Sequence, residues 1–323
     1  MPRLCKPEMH SSEVSKFWGE SREKSFGWRV LDIAIRAREA SSRALPDRSG
    51  YFGLFPAIVL MGTLVGGLLV LAWGSFHEYD TYLAKSGNLS VVQYVEVILD
   101  PQFQSTLGRT VSMALVTSSL TVAVGVAYAF AIVRSPRWVR LILLISMFVP
   151  LLTGDVTRTF GLVVALGTGG PIDWAMESSG LGSAQLLGTL PAIGIGMFQT
   201  LLPVAVVILL PAVLRLDPEL VSAAASMGAR ALTVFFEIIL PQLKLGALAA
   251  LATCFALAMG AFADPAILGR GLLDFTSNFL QARYLAQGNP AQGGAIGILL
   301  ILIVSAGSAV LLGLGRIRRR SHR

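Results

Sequence analysis

The stretch DPELVSAAASMGARALTVFFEIILP, from Asp217 to Pro241, separates two long apolar runs of the chain. Its first part contains three consecutive alanines at 223–225 and favours a helix. Gly228 follows, and its freedom to adopt a positive φ predicts a sharp turn that ends this helix. The FFEII segment beyond the turn has apolar side chains at helical spacing, and we expect the closing proline to end that piece where the next apolar run begins. The stretch therefore predicts an ordered helix–turn–helix rather than a simple linker.

The composition of the chain is that of a membrane protein. Of its 323 residues, 54% are hydrophobic and only 14% are charged. The net charge is +7, but the arginines flank the apolar runs, which fits membrane topology better than nucleic-acid binding. The two cysteines, Cys5 and Cys254, are too far apart in sequence to suggest a disulfide framework or a metal site.

No motif in the chain predicts covalent chemistry. The three histidines are scattered in polar stretches, and the phosphate-binding pattern GxxxxGK[ST] is absent. The sequence therefore favours a protein that is not an enzyme and that needs no cofactor of its own.

Six apolar runs are long enough to cross the roughly 30 Å hydrocarbon core of a bilayer. They lie at about residues 51–74, 107–132, 141–166, 187–212, 243–262 and 291–315. We therefore expect an all-α membrane protein with six transmembrane helices. Its domains would be an N-terminal tail over 1–50, a membrane domain over 51–315 that includes a loop over 213–241, and a basic tail over 316–323. Within the first tail, residues 28–39 form either a helix on the inner membrane face or a frayed segment without a role.

The basic residues are distributed unevenly between the two sides of the predicted membrane domain. The two tails, the 134–140 turn and the 217–241 loop hold most of them, whereas the other three loops contain only Lys85, Arg270 and Arg283. The positive-inside rule then places both termini and the 217–241 loop in the cytoplasm.

Four polar side chains occupy costly positions within or beside the apolar runs: Asp155, Arg158, Gln199 and Asp264. Asp155 and Arg158 are neighbours on one helix face, and a straight helix from residue 141 would place both in the outer half of the membrane. They form either a shielded pair or the wall of a substrate path. Gln199 either holds helices together or lines the path. Asp264 precedes Pro265, where we expect the backbone to open, either as a helix-ending turn or as part of the path.

The 217–241 loop resembles the EAA loop of permeases in ATP-binding-cassette (ABC) importers that a solute-binding protein supplies. The matching residues are Ala223, Ala224, Gly228, Ala229, Phe236, Leu240 and Pro241. Ser222 stands where that family has its name-giving glutamate, and the nearest acid is Glu219, one helical turn earlier. The resemblance implies that this loop docks on the ATPase subunit, and Glu219 is a candidate to take over the role of the missing glutamate.

The resemblance extends over about residues 51–314 and is greatest to spermidine/putrescine-type permeases. It implies a type I ABC importer permease fold, located in the bacterial inner membrane. The implied partners are ATPase subunits that carry ATP and magnesium, a second permease subunit and a periplasmic solute-binding protein. The cargo would be a polyamine or a related small cation, with phosphonate, ferric iron or an opine-like compound as alternatives. A self-sufficient secondary transporter is the rival class, but an ordered cytoplasmic loop and the lack of visible internal duplication disfavour it.

The asymmetry of the basic residues predicts which loops face outward. Single cysteines at Ser86 and Ser178 should react with a membrane-impermeant maleimide added to intact spheroplasts, whereas cysteines at Ser226 and Ser321 should react only after permeabilisation. Labelling of the Ser226 position from the outside would exclude a cytoplasmic docking loop.

Overall fold

A computed structural model of the chain describes residues 49–80, 85–179, 185–216, 220, 224 and 226–320. The predicted interfacial segment at 28–39 therefore lies outside the described residues. The chain divides into two units, Met1–Leu68 and Leu69–Arg323. The first unit contributes the beginning of the first apolar helix, and the second contains the other elements.

The fold is mostly helical. Its elements in chain order are α1 (Ser49–Ser75), β1 (His77–Asp80), β2 (Lys85–Leu89), α2 (Val92–Leu99), α3 (Pro101–Arg134), α4 (Arg137–Leu152), α5 (Asp155–Leu166), α6 (Pro171–Ser178), α7 (Leu190–Leu214), α8 (Ala231–Val234), a π-helical segment (Phe235–Ile239), α9 (Leu240–Met259), α10 (Ala263–Leu268), α11 (Thr276–Gln281), a second π-helical segment (Ala282–Ala286) and α12 (Pro290–Arg320).

Five described helical segments are long and apolar enough to cross a membrane. They are Phe55–Ser75, Pro101–Arg134, Leu190–Leu214, Phe235–Met259 and Pro290–Gly313. Each overlaps one of the predicted apolar runs. The remaining predicted run, at 141–166, is divided between α4 and α5.

The expectation of one straight helix over 141–166 is wrong. The helical segments Arg137–Leu152 and Asp155–Ser178 meet at an angle of 109°. Between them, Thr153 and Gly154 adopt extended backbone angles, with ψ values of 129° and 146°. Two sequence features favour a break at this point, because glycine stabilises a helix poorly and Asp155 is suited to the first turn of a new helix. The depths estimated for Asp155 and Arg158 from a straight helix therefore do not apply.

The main hydrophobic core forms where α3, α7 and α9 pack together. Small residues allow these helices to approach closely, as expected for helices that associate in a membrane. Ala129 of α3, Ala205 of α7 and Ala250 of α9 are fully buried there. A second cluster joins α5, α7 and α10 around Met197 and Leu268.

Polar contacts fasten α12 and its preceding segment to the beginning of α3. Asp100 caps α3 by accepting from the amide of Gln102, and its other carboxylate oxygen pairs with Arg283 Nη2 at 2.8 Å. The Arg283 guanidinium also lies 4.9 Å from the centre of the Phe279 ring. The β1–β2 hairpin, which the sequence analysis did not predict, lies in the polar stretch before α2.

The close packing of α3 against α7 leads to a stability prediction. A Cβ atom at Gly125 would lie 3.2 Å from Leu209 Cδ1 and 3.3 Å from Ala205 Cβ. Gly125→Leu should therefore destabilise the protein by about 1–3 kcal/mol through overpacking. Thermal unfolding in detergent, followed by tryptophan fluorescence, would measure this as a lower melting temperature.

Gly108 provides the matched control on the same helix, because a Cβ atom there meets nothing within 4 Å. Gly108→Leu should leave the melting temperature almost unchanged. Equal losses in the two variants would show that helix propensity or lipid exposure, rather than the α3–α7 contact, causes the effect.

Candidate functional site

The first candidate site is the loop that joins α7 to α9. Its Gly228 has φ of +77°, which confirms the predicted turn. The amide of Ala229 donates to the carbonyl oxygen of Ala224 at 3.1 Å, the six-to-one bond of a Schellman motif with Gly228 in the left-handed position. A Cβ atom at Gly228 would meet nothing within 4 Å, so backbone conformation rather than space favours glycine in the isolated chain. The predicted site residues Glu219, Ser222 and Ala223 lie outside the described residues.

One face of this loop is anchored in the main core. Ala224, Val234 and Ile239 are 4%, 7% and 6% exposed and belong to the cluster that α3, α7 and α9 build. Of the other predicted loop residues, Ala229 is half-buried against the same cluster, whereas Leu240 and Pro241 are exposed. The anchoring residues fix the position of the loop relative to the membrane helices.

The opposite face of the loop is exposed and partly apolar. Met227 is 81% exposed and Phe236 is 59% exposed, and the Phe236 ring stands edge-on to Phe235 at a centroid distance of 5.3 Å. An apolar surface beside an anchored turn is suited to contact with another protein.

The expectation that Pro241 ends the second piece of the loop is wrong. The helical path continues from Ala231 to Met259 through the π-helical segment Phe235–Ile239. The amide of Leu240 donates to the carbonyl oxygen of Phe235, one residue further back than in an α-helix. A π-helical turn supplies a wider ring next to Pro241, whose missing N–H and bulky ring would interrupt a regular α-helix.

The second candidate site is a polar network around Arg158, at the corner between α4 and α5. The guanidinium Nη2 donates to Asp155 Oδ1 at 2.6 Å and to Thr200 Oγ1 of α7 at 2.7 Å. Its Nη1 donates across the break to the carbonyl oxygen of Pro150 in α4 at 3.1 Å. The ion pair with Asp155 confirms the predicted neighbourhood of these two residues.

Asp264 joins the same network from α10. Its Oδ1 accepts from Thr159 Oγ1 at 2.8 Å, and its Oδ2 lies 3.4 Å from Thr200 Oγ1. The side chain approaches α7 at Gly196, where a Cβ atom would lie only 2.9 Å from Asp264 Oδ1. Glycine at this position therefore lets the carboxylate reach the helix surface.

The backbone opens before Asp264, not at the Asp264–Pro265 peptide. Gly260 to Phe262 separate α9 from α10, and Asp264 and Pro265 lie in the first turn of α10. Proline is tolerated in a first turn because its missing N–H would have no intrahelical partner there. The interpretation of this dipeptide as a helix-ending turn is therefore wrong, since it begins a helix.

The charged members of the network differ sharply in exposure. The Arg158 side chain is 8% exposed and Asp264 is 6% exposed, whereas the Asp155 side chain is 69% exposed. Asp155 pairs with Arg158 directly, whereas Asp264 joins the network through the hydroxyl groups of Thr159 and Thr200. The accessible charge of the network is therefore the Asp155 carboxylate.

Gln199 lies in a neighbouring cleft of about 360 Å³ between α3, α4, α5 and α7. Most of the lining is apolar, with hydroxyl groups from Tyr128 and Ser146. The Oε1 atom of Gln199 is buried without a hydrogen-bond partner among the described residues. Pro150 lines this cleft as well, so the cleft and the Arg158 network share one residue.

Sequence reasoning missed Thr159, Thr200 and Gly196. A hydroxyl within an apolar helix is a common partner for a buried charge, which is the one signal that was available. The three residues lie on α5 and α7, which belong to different apolar runs. Among the described residues, no group of three or more histidine, cysteine or acidic side chains is arranged to hold a metal ion.

Comparison with known proteins places these features in context. Residues 120–321 match the family described as binding-protein-dependent transport system inner membrane component. The chain is 28% identical over 244 residues to the spermidine/putrescine transport system permease protein PotB of Haemophilus influenzae, covering 75% of this chain and 85% of that protein. It is 27% identical over 217 residues to the sulfate transport system permease protein CysW of Synechocystis, covering 66% of this chain and 78% of that protein.

A solved structure shows the same fold. The matched chain comes from a bacterial ABC transporter involved in the import of the acidic polysaccharide alginate, and the TM-score is 0.67 at 16% sequence identity. The match covers 87% of this chain and 98% of the other.

Proposed function

The chain belongs to the binding-protein-dependent transport family of inner-membrane components, and we propose that it forms the path by which an ATP-driven importer moves a small organic cation of the polyamine class. Membership makes it a multi-pass permease subunit of an ABC importer, with the type I permease fold, and not an enzyme. The observation that carries the cargo proposal is the exposed carboxylate of Asp155, whose partner Arg158 is buried.

The electrostatics of the site favour a cation over an anion. Asp155 offers the accessible charge, since Arg158 is 8% exposed and already donates to three acceptors. A cationic amine approaching this corner would be attracted to the exposed Asp155 carboxylate. The resemblance to the spermidine/putrescine permease PotB supports the same class of cargo.

An anionic cargo is the alternative, and the sequence similarity to a sulfate permease favours it. The sulfate permease CysW is almost as similar in sequence as PotB. Such a cargo would need a free cationic side chain, and the buried guanidinium of Arg158 is not placed to provide one. Phosphonate is also an anion and would need the same free cationic side chain. Ferric iron and opine-like compounds would have to be distinguished from polyamines by measuring the uptake of each compound.

The proposed substrate path includes all four polar residues predicted from the sequence. Asp155 would contact the cargo, and Gln199 would line the adjacent cleft, with its side-chain oxygen buried in the isolated chain. Arg158 and Asp264 are buried in the isolated chain and would act from behind Asp155.

The proposed assembly contains two permease subunits, two ATPase subunits and an external solute-binding protein. The loop around Gly228 would dock on an ATPase subunit, which would bind ATP and magnesium, and both chain termini would be cytoplasmic. The exposed Met227 and Phe236 support this docking surface, because apolar contacts dominate the centre of stable interfaces. ATP binding would move this loop and open the path outward, and hydrolysis would restore the inward-facing state.

Uptake measurements test the cargo. The permease complex, reconstituted in liposomes with its ATPase and binding protein, should accumulate radiolabelled putrescine or spermidine in an ATP-dependent manner. Asp155→Asn should raise the KM for uptake about fivefold, the effect of losing roughly 1 kcal/mol of attraction. Glu177→Gln removes an equal charge from an exposed position in α6 and should leave KM unchanged. ATP-dependent accumulation of sulfate but of neither amine would contradict the proposal.

The Gly228 turn tests the coupling. Gly228→Asp adds a charged side chain to the proposed docking surface and strains a positive φ by ~1–2 kcal/mol. The variant should insert into the membrane normally but lose co-purification with the ATPase or uncouple ATP hydrolysis from uptake. Gly271→Asp is the matched control, because Gly271 has φ of +71° and equally open surroundings in the segment between α10 and α11.

The same assay tests which loop residue takes over the role of the missing EAA glutamate. Glu219→Ala should impair coupling more than Ser222→Ala if the acid takes over the role of the missing EAA glutamate. Full transport by Gly228→Asp would mean that this loop does not couple the ATPase to the path.

A further inference from the structure

We propose that Arg158 acts as a latch: its hydrogen bonds hold the bend between α4 and α5, and these bonds break in each transport cycle. Asp264 positions Arg158 through the hydroxyl-bearing residues of the network. The inference rests on the proposed function in that it requires an ATP-driven cycle. It does not depend on the identity of the cargo. It assigns Arg158 and Asp264 as positioning residues behind Asp155.

The first argument is the unsatisfied backbone at the break. When α4 ends at Leu152, its last carbonyl groups lose the amides that would follow in a continuous helix. A backbone carbonyl removed from water is costly to leave without a donor. Arg158 Nη1 supplies a donor to Pro150 from the other side of the break. The bond therefore forms only while α4 and α5 keep their bent arrangement.

The second argument is the number of elements that meet at one guanidinium. Arg158 belongs to α5, accepts no bond itself, and donates to groups on α4, α5 and α7. Thr200 lies next to Asp264 of α10, which in turn holds Thr159 of α5. A change in the angle of α5 would break several of these contacts together. The bend therefore has a discrete locked state rather than a continuous range of angles.

The third argument is that one donor of the Arg158 guanidinium has no acceptor. Arg158 Nε is buried without a hydrogen-bond partner among the described residues. A buried donor without a partner is unfavourable, so a rearrangement that gives Nε an acceptor would be favoured. Asp155 is also exposed on its far side, so a cation arriving there would compete with Arg158 for the carboxylate and repel the guanidinium.

Distance measurements between spin labels test the latch. The assembled importer is reconstituted in lipid nanodiscs, with Cys5 and Cys254 changed to alanine and nitroxide labels on cysteines at Ile142 and Val164. These side chains are 64% and 73% exposed, on α4 and α5. Dilution with unlabelled permease isolates the distance within one chain. Double electron–electron resonance then compares the ATP-free complex with the complex trapped by ATP and vanadate.

The wild type should show one distance without nucleotide and a second distance after trapping. Thr200→Val keeps the side-chain volume but removes one acceptor of Arg158, so the ratio of the second to the first population without nucleotide should rise about tenfold. Arg158→Met should raise it further. Arg109→Met is the matched control, because Arg109 also donates to a backbone carbonyl, that of Asp274, but lies outside the network. It should leave the distribution unchanged.

An unchanged distance in the trapped wild type would overturn the latch, as would wild-type distributions in both Thr200→Val and Arg158→Met. A purely structural role would lower the melting temperature without altering the distances. Putrescine uptake by the same wild-type sample separates the two proposals. Uptake without a distance change removes the latch and leaves the cargo proposal, whereas a distance change without uptake removes the cargo proposal and leaves the latch.

Discussion

A helix that breaks inside an apolar layer must find new partners for its free backbone groups, and much of this structure depends on how that requirement is met. The break at Thr153 and Gly154 turns the chain by 109° and leaves Pro150 without its usual donor. The guanidinium of Arg158 replaces that donor. A buried charge is costly unless it is paired, and Asp155 and Thr200 accept from Arg158 while Asp264 lies beside Thr200. One backbone break thus accounts for a whole set of polar side chains in an otherwise apolar domain.

Helix α7 connects the two candidate sites. Near its beginning it carries Gly196 and Thr200, which contact Asp264 and Arg158. Near its end it carries Leu209 and Val213, which are buried in the same cluster as Ala224 and Val234 of the loop. Packed interiors transmit displacement because they contain few voids. A movement imposed on the loop would therefore reach the bent span through one well-packed helix, which is the arrangement that a coupled transporter requires.

The loop between α7 and α9 has one face that is buried in the main core and another face that is exposed. Ala224 packs against the core, and the Schellman motif at Gly228 ends the helical turn that precedes it. The π-helical segment then carries the chain past Pro241 without a break and presents Phe236 to the outside. A regular α-helix with proline at that position would have kinked or ended, so the widened turn preserves a continuous connection from the loop to α9.

The sequence by itself determined the class of the fold, the positions of the apolar runs, the turn at Gly228 and the neighbourhood of Asp155 and Arg158 on one helix face. These features follow from local patterns: hydrophobic length, the conformational freedom of glycine, and the spacing of three residues on a helix. Only the tertiary structure decided that the third run bends, that Thr159, Thr200 and Gly196 complete the network, and that Asp264 is buried while Asp155 is exposed. Their physical cause lies in contacts between α5, α7 and α10, which are far apart along the chain. Hydropathy reports how apolar a segment is, but not which backbone groups a distant arginine will satisfy.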